Sequence, residues 1–166
     1  ETFDSCSLSK FSYSLGMVLF RQLRYQESAQ RFIESFNESS SCADKFVFFY
    51  LRQEVLDNIG LCYYHLGKYD SARMYYNKAI AYIDANYMHF DKQESVYISA
   101  KAVVLGNMAD LYIQQQQYDT AYDLLNKSIS INLQKGYTNT DALIDQVKLA
   151  RLHLSQGGMA ETNVLL

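Results

Sequence analysis

The 166-residue sequence contains no proline and no tryptophan. Because proline breaks helix interiors, its absence over this length favours continuous helices joined by short turns. No apolar run approaches the roughly 20 residues that a membrane-spanning helix needs. We therefore expect a soluble all-α domain without membrane insertion, in either the cytoplasm or the periplasm.

Clusters of basic residues are also absent, and the formal net charge is -3. Binding to nucleic acid phosphates requires grouped Lys and Arg side chains, so direct nucleic-acid binding is disfavoured. The sequence is instead rich in aromatic residues, with 15 Tyr and 9 Phe. These rings predict a core filled by aromatic side chains wedged between helices.

Cysteine is scarce and odd in number, and no C-x-x-C pair occurs. Cys62 lies inside a helical pattern and is expected in the core as a buried thiol. Cys6 and Cys42 both lie near predicted helix starts. The spacing leaves open whether these two form a disulfide or remain separate buried thiols.

Patterns typical of catalysis or metal binding are lacking. His65, His89 and His153 lie far apart, without H-E-x-x-H spacing. We therefore expect no enzyme activity, no metal site and no cofactor. His153 is predicted to pack in the core, whereas His65 is the histidine predicted to make a pH-sensitive contact.

The strongest pattern runs over residues 56–80, LDNIGLCYYHLGKYDSARMYYNKAI. Apolar and small residues recur there at three- and four-residue spacing, which indicates two helices separated by a turn at Gly67. Small residues occupy places where the helix backbones approach closely. The positions are Leu56, Ile59, Gly60, Tyr63 and Tyr64 in the first helix, and Ala72, Tyr75, Tyr76, Ala79 and Ile80 in the second.

This stretch closely resembles a tetratricopeptide repeat (TPR), whose pattern is W-x2-L-G-x2-Y…A-x3-F…P. Ile59-Gly60 matches the L-G pair, Ala72 the A, and Tyr76 the F. Leu56 stands in the Trp place, and the closing Pro is absent. The resemblance implies a right-handed superhelix of antiparallel helix pairs, which serves as a scaffold for protein or peptide partners.

The pattern recurs, and predicts about 3.5 to 4 repeats with elongated helices within a single TPR domain. Gly16, Ala109 and Ala150 match Gly60 at intervals of roughly 40 to 50 residues, longer than the usual 34. The predicted repeats cover residues 7–38, 43–87, 94–133 and 141–166, with helices at 7–23, 43–66 and 141–156 and turns at 24–25, 114–117 and 157–158.

Elongated repeats are similar to those in the input regions of bacterial signalling proteins. We therefore expect this chain to be the interaction or sensing region of a larger protein. Two features of the ends agree with that expectation. The sequence begins at Glu1 without Met, and its pattern stops mid-helix at Leu165-Leu166.

The family resemblance places the first helix of each repeat on a concave face. We call the residues predicted to contact a partner there the predicted groove. They are Lys10, Tyr13, Met17, Phe20, Arg21, Asp57, Asn58, Leu61, Tyr64, His65, Asn107, Asp110 and Gln114.

The charges of the predicted groove suggest how a peptide would lie in it. An acidic end would approach Arg21, and a basic end would approach Asp57 and Asp110. Asn58 and Asn107 occupy equivalent places and could bond either a ligand backbone or a neighbouring helix. The carboxylate clamp of TPR co-chaperones is not expected, because of its five places only that of Asn58 agrees.

A structural role is the alternative to peptide binding. In that interpretation the chain forms a homodimer or a self-associating scaffold. The contact would be made through the aromatic stretch 46–50, or through the apolar end at Leu165-Leu166.

Overall fold

The computed structural model describes residues 4–86, 94–134 and 140–155, of which 94–98 are described by their backbone alone. These residues form α-helices joined by turns, with no strand, and the predicted all-α helical-repeat fold is confirmed. The helices are α1 Ser5–Arg21, α2 Tyr25–Glu38, α3 Arg52–His65, α4 Tyr69–Asn86, α5 Glu94–Gln114, α6 Tyr118–Asn132 and α7 Thr140–Ser155.

The three turns inside helix pairs share one geometry. Each contains a residue in the left-handed region, with φ of 62° at Leu23, 69° at Gly67 and 59° at Gln116. The next amide bonds back five residues, as in a Schellman helix end. These bonds are Arg24 N to Leu19 O (3.0 Å), Lys68 N to Tyr63 O (2.9 Å) and Gln117 N to Tyr112 O (2.9 Å).

Small residues face large rings inside each helix pair of the first half of the chain. A Cβ atom added to Gly60 would lie 2.5 Å from the Tyr76 ring, and one added to Gly16 would lie 2.7 Å from the Phe32 ring. Tyr76 and Phe32 are both fully buried. The predicted close approach of α3 and α4 therefore depends on glycine at position 60.

A second core cluster, of alanine and leucine side chains, holds α5, α6 and α7 together. Ala109, Ala121 and Leu125 are fully buried and form a core cluster with Leu149 and Leu152. The hydroxyl of buried Ser128 donates to the backbone oxygen of Ala102 (2.9 Å), as Ser28 does to Gly16 (2.8 Å). Small polar residues thus satisfy their hydroxyls at close helix contacts.

The helix predicted over residues 43–66 is continuous from Lys45 to His65, but its start is not α-helical. Phe46–Leu51 forms a π-helical segment ahead of α3. Val47, Phe49 and Leu51 of this segment are all buried. Phe46 and Phe48 remain 57% and 38% exposed.

The open question about the cysteines has an answer in the structure. Cys6 in the first turn of α1 forms a disulfide with Cys42, and their Cα atoms lie 5.1 Å apart. Cys42 is buried in the core cluster of the first four helices. The bond therefore ties the start of α1 to the segment that precedes α3.

The chain divides into two compact units, Glu1–His89 and Phe90–Leu166. The first contains α1 to α4 and the second α5 to α7. Whether they form a single domain stays a prediction. His89, the turn at 157–158 and the end at Leu165-Leu166 lie outside the described residues. Within the described ranges, no helix combines the length and apolarity needed to cross a membrane.

Candidate functional site

In the first unit, α1 and α3 meet along the side chains that the sequence assigns to the predicted groove. Three contacts link the two helices and follow each other in chain order. The Tyr13 hydroxyl donates to Glu54, Asn58 Nδ2 donates to Met17 Sδ (3.7 Å), and the Phe20 and His65 ring centroids lie 5.6 Å apart. The two helices thus present one continuous face.

Tyr13 is a hydrogen-bond donor on this face. Burial raises the pKa of its phenol well above the usual value, and the hydrogen bond to Glu54 raises it further. The hydroxyl therefore stays protonated at neutral pH. Because its proton is directed at Glu54, Tyr13 positions that carboxylate as well as contributing its ring to the surface.

His65, the last residue of α3, is exposed and contacts three aromatic rings. The imidazole stacks on Tyr25 with centroids 4.5 Å apart and an interplanar angle of 9°. Phe20 meets the same imidazole edge-on, and Tyr64 lies 5.4 Å from it. Burial lowers the pKa of His65, which favours a neutral imidazole near pH 7 and a flat apolar patch.

Several other predicted groove residues lie on the same two helices. Arg21 is exposed, whereas Leu61 and Tyr64 are partly buried. Lys10 is exposed one helical turn before Tyr13 and pairs with Asp44, its Nζ 3.1 Å from Oδ2. Lys10 therefore has an acidic partner within the chain, and Arg21 is a second exposed cation on α1.

Asp57 corrects the predicted charge pattern. The sequence places it on the groove surface, opposite the basic end of a peptide. In the structure its side chain is buried, with 6% exposure. Helical spacing alone gives a residue's direction, but neighbouring helices decide whether that direction reaches solvent. The prediction that Asp57 contacts a cationic ligand at the surface is therefore wrong.

In the second unit, α5 carries the predicted groove residues Asn107, Asp110 and Gln114. Gln114 is exposed at the helix end, and Asn107 is partly buried. The Asp110 carboxylate pairs with Lys148 of α7 at 2.9 Å. Asp110 thus has a cationic partner within the chain, and its predicted pairing with the basic end of a peptide stays a prediction.

Lys148 belongs to a charged cluster that the sequence interpretation missed. Its Nζ lies 3.4 Å from Asp145 Oδ1 and donates to the Gly106 carbonyl at 3.2 Å. The Ser128 hydroxyl also lies within hydrogen-bond distance of the other oxygen of Asp145. The sequence did contain a signal for this cluster, because Asp145 shares helical spacing with the buried residues Ala142, Leu149 and Leu152. An acid on that apolar face indicates a buried, paired carboxylate.

We predict that Asp145 makes stability depend on pH. Burial raises the pKa of this carboxyl, while Ser128 and Lys148 oppose the rise. Because the pKa of Asp145 is higher in the folded than in the unfolded state, its neutral carboxyl contributes fully to the stability of the fold at pH values below the unfolded pKa. The contribution is lost as pH rises through the folded pKa. Between about pH 4 and pH 7, the free energy of unfolding should fall more for wild type than for Asp145→Asn.

Urea unfolding at several pH values, followed by circular dichroism, measures this difference. Asp123→Asn is the matched control, because Asp123 is exposed on α6. Its pH profile should follow that of wild type. Parallel profiles for wild type and Asp145→Asn would show that Asp145 has the same proton affinity in the folded and unfolded states.

Side chains at the places of the carboxylate clamp bond to other groups of the chain. At the clamp places, Tyr13 donates to Glu54 and Asn58 donates to Met17. Asn58 thus bonds a neighbouring helix, one of the two alternatives open from sequence. Over the described ranges, no three His, Cys, Asp or Glu side chains are grouped as metal ligands. His153 is partly buried and meets the Tyr122 ring edge-on at 5.5 Å.

Comparisons with known proteins agree with the helix pairs. The tetratricopeptide-repeat family matches residues 53–86 and again residues 102–135. The first match covers most of α3 and all of α4, and the second covers most of α5 and all of α6. No curated protein sequence matches the chain.

Solved structures of low sequence identity share this fold. BtubC (BKLC) from P. vanneervenii has a TM-score of 0.76 at 18% identity, over 100% of this chain and 63% of that one. A putative kinesin light chain from Podosopora anserina, with nearly identical TPR-like repeats, has a TM-score of 0.69 at 15% identity. That comparison covers 99% of this chain and 74% of the other. This chain thus spans less than two thirds of BtubC.

Helix pairs of this kind build interaction scaffolds, which are generally not catalytic. The paired turns, the small residues facing buried rings and the two matched repeats are all present. The chain contains two tetratricopeptide repeats, at residues 53–86 and 102–135.

Proposed function

We propose that this scaffold binds a peptide segment of a protein partner on the shared face of α1 and α3. One observation carries the proposal. Tyr13, Met17 and Phe20 of α1 contact Glu54, Asn58 and His65 of α3 in that order, so the face is already assembled. A preassembled face binds a peptide without first ordering its own side chains.

The chemistry of this face defines the peptide. Met17, Phe20 and Leu61 supply apolar contact area, and Arg21 supplies an exposed positive charge. An apolar or aromatic anchor would rest on the apolar residues, with an acidic residue beside Arg21. A basic end of the peptide has no surface contact at Asp57, which is buried. Its contact with Asp110 stays a prediction.

The finer roles stay predictions. Repeat length is the basis for placing the chain in a larger signalling protein. Exposed Phe46 and its ring contact with Tyr50 at 5.5 Å agree with the alternative of a self-associating scaffold. Binding of a peptide to α1 and α3 is compatible with either role.

Peptide selection followed by charge reversal tests the proposal. A phage-displayed library of random peptides would be selected against the full chain, and the best peptide measured by calorimetry. Arg21→Glu should weaken its binding about tenfold or more, because the acidic residue of the peptide then faces a like charge. Tyr64→Ala should weaken it by a smaller factor through lost ring contact.

Arg151→Glu is the matched control, because Arg151 is exposed on α7 and lies in the other unit. Circular dichroism should show unchanged helicity in each variant. Peptides that bind Arg21→Glu and Tyr64→Ala as tightly as wild type would place the binding site elsewhere on the chain.

A further inference from the structure

A cavity of about 550 Å³ opens between α2 and α4 of the first unit, away from the side chains of the proposed peptide face. Its floor is formed by Leu56 and Ile59 of α3, which are almost fully buried. Its walls are formed by side chains of the two flanking helices, Ile33 and Phe36 of α2 with Tyr75 and Tyr82 of α4. Such a volume and such a lining are typical of sites for small organic ligands.

Contacts between the flanking helices limit the cavity along its length. Where α2 and α4 begin, Lys68 Nζ donates to Gln26 Oε1 at 3.2 Å. Towards the other end, the Arg52 guanidinium lies 4.0 Å from the Phe36 ring centroid and 5.6 Å from that of Tyr82. Arg52 is held there by a bond to the Phe36 carbonyl at 2.9 Å. These contacts favour a compact ligand over a long helix.

The charge at the rim of the cavity selects an anion. Lys78 lines the cavity and is exposed, with its Nζ 4.9 Å from the Tyr75 ring centroid. Among the described residues it forms no ion pair, and no carboxylate belongs to the cavity lining. A ligand carboxylate beside Lys78 would therefore form a charge-assisted contact without breaking an ion pair.

The length of the lining fixes the size of the ligand. From Tyr75 to Tyr82 the helix advances by only about 10 Å at 1.5 Å per residue. We propose that this cavity binds a small apolar carboxylate of about that length, such as an eight-carbon acyl acid. Its carboxylate pairs with Lys78, and its tail covers Leu56 and Ile59. This site is independent of the peptide face on α1 and α3.

Titration of the full chain with sodium octanoate, followed by methyl NMR, tests the site. The Ile33, Leu56 and Ile59 methyl signals should shift in a saturable way, with a dissociation constant of about 1 mM or lower. Octyltrimethylammonium carries the same tail with the opposite charge. It should bind these methyls at least tenfold more weakly.

Two variants separate the charge from the cavity. Lys78→Glu should weaken octanoate binding about tenfold, because the carboxylate then meets a like charge. Ala81→Phe should abolish it by filling the space, and Ala81 is exposed, so the fold is retained. Lys45→Glu is the control, because it makes the same charge change at an exposed lysine outside the cavity lining. This variant should bind octanoate as wild type does.

Three results would overturn the proposal. In the first, the three methyl signals are unchanged at roughly 10 mM octanoate. In the second, octyltrimethylammonium binds as well as octanoate, which removes the role of Lys78. In the third, Ala81→Phe binds octanoate as wild type does. Arg21→Glu is expected to leave octanoate binding unchanged, so failure here and failure of the peptide face are distinguishable.

Discussion

Tyr76→Ala is expected to lower the free energy of unfolding by about 3–5 kcal/mol, the usual cost of removing a fully buried aromatic side chain. Tyr76 has no exposed surface and lies against Gly60 where α3 and α4 approach most closely. Removing its ring leaves a cavity that α4 cannot fill without moving along α3. Urea unfolding followed by circular dichroism measures the loss, and Asn77→Ala, at an exposed neighbour on α4, should change stability little.

The contact between Tyr76 and residue 60 can be tested separately with a double-mutant cycle. Gly60→Ala places a methyl group 2.5 Å from the Tyr76 ring, so it should destabilise by about 1–3 kcal/mol. With Tyr76→Leu in the background, the same change should cost at least about 1 kcal/mol less, because the ring is gone. Additive effects would show that the close helix approach does not depend on this contact.

The helix pairs were predictable because their signals are local. Gly60 and Tyr76 are close in sequence, and their sizes are complementary wherever the helix pair forms. The turns were predictable as well, although only Gly67 among them is glycine. Leu23 and Gln116 adopt the same left-handed geometry, which their residue types alone do not predict. Repeat spacing located the turn predicted at 114–117. The turn predicted at 24–25 begins two residues earlier, at 22–24, because α1 ends at Arg21 and α2 begins at Tyr25.

The charges of the predicted groove were less predictable because they depend on contacts distant in sequence. Asp57 follows the groove spacing of α3 but is buried, and Asp110 is paired with Lys148 of another helix. Helical periodicity gives the side of a helix that a residue occupies. It does not give the partner that approaches that side. Arg21 and Phe20 lie on the predicted face of α1, and their role in binding stays a prediction.

The disulfide between Cys6 and Cys42 is expected to make the second large contribution to the stability of the fold. Its removal should lower the free energy of unfolding by about 4 kcal/mol. Cys6 and Cys42 are separated by 36 residues, so the bond closes a loop that contains all of α2. In the chain-entropy description, the bond stabilises the fold by restricting the unfolded chain. The double variant Cys6→Ser, Cys42→Ser should therefore unfold at roughly 2 M lower urea than wild type.

Dithiothreitol provides the matched control for this prediction. It should lower the urea midpoint of wild type and leave that of the double serine variant unchanged, because the variant has no bond to reduce. Cys62 will not interfere, since it is fully buried and burial raises the pKa of its thiol to about 11. Native protein should therefore show no thiol that reacts rapidly with Ellman's reagent, and unfolded, unreduced protein should show one. Three reactive thiols in unfolded, unreduced protein would show that Cys6 and Cys42 are not joined.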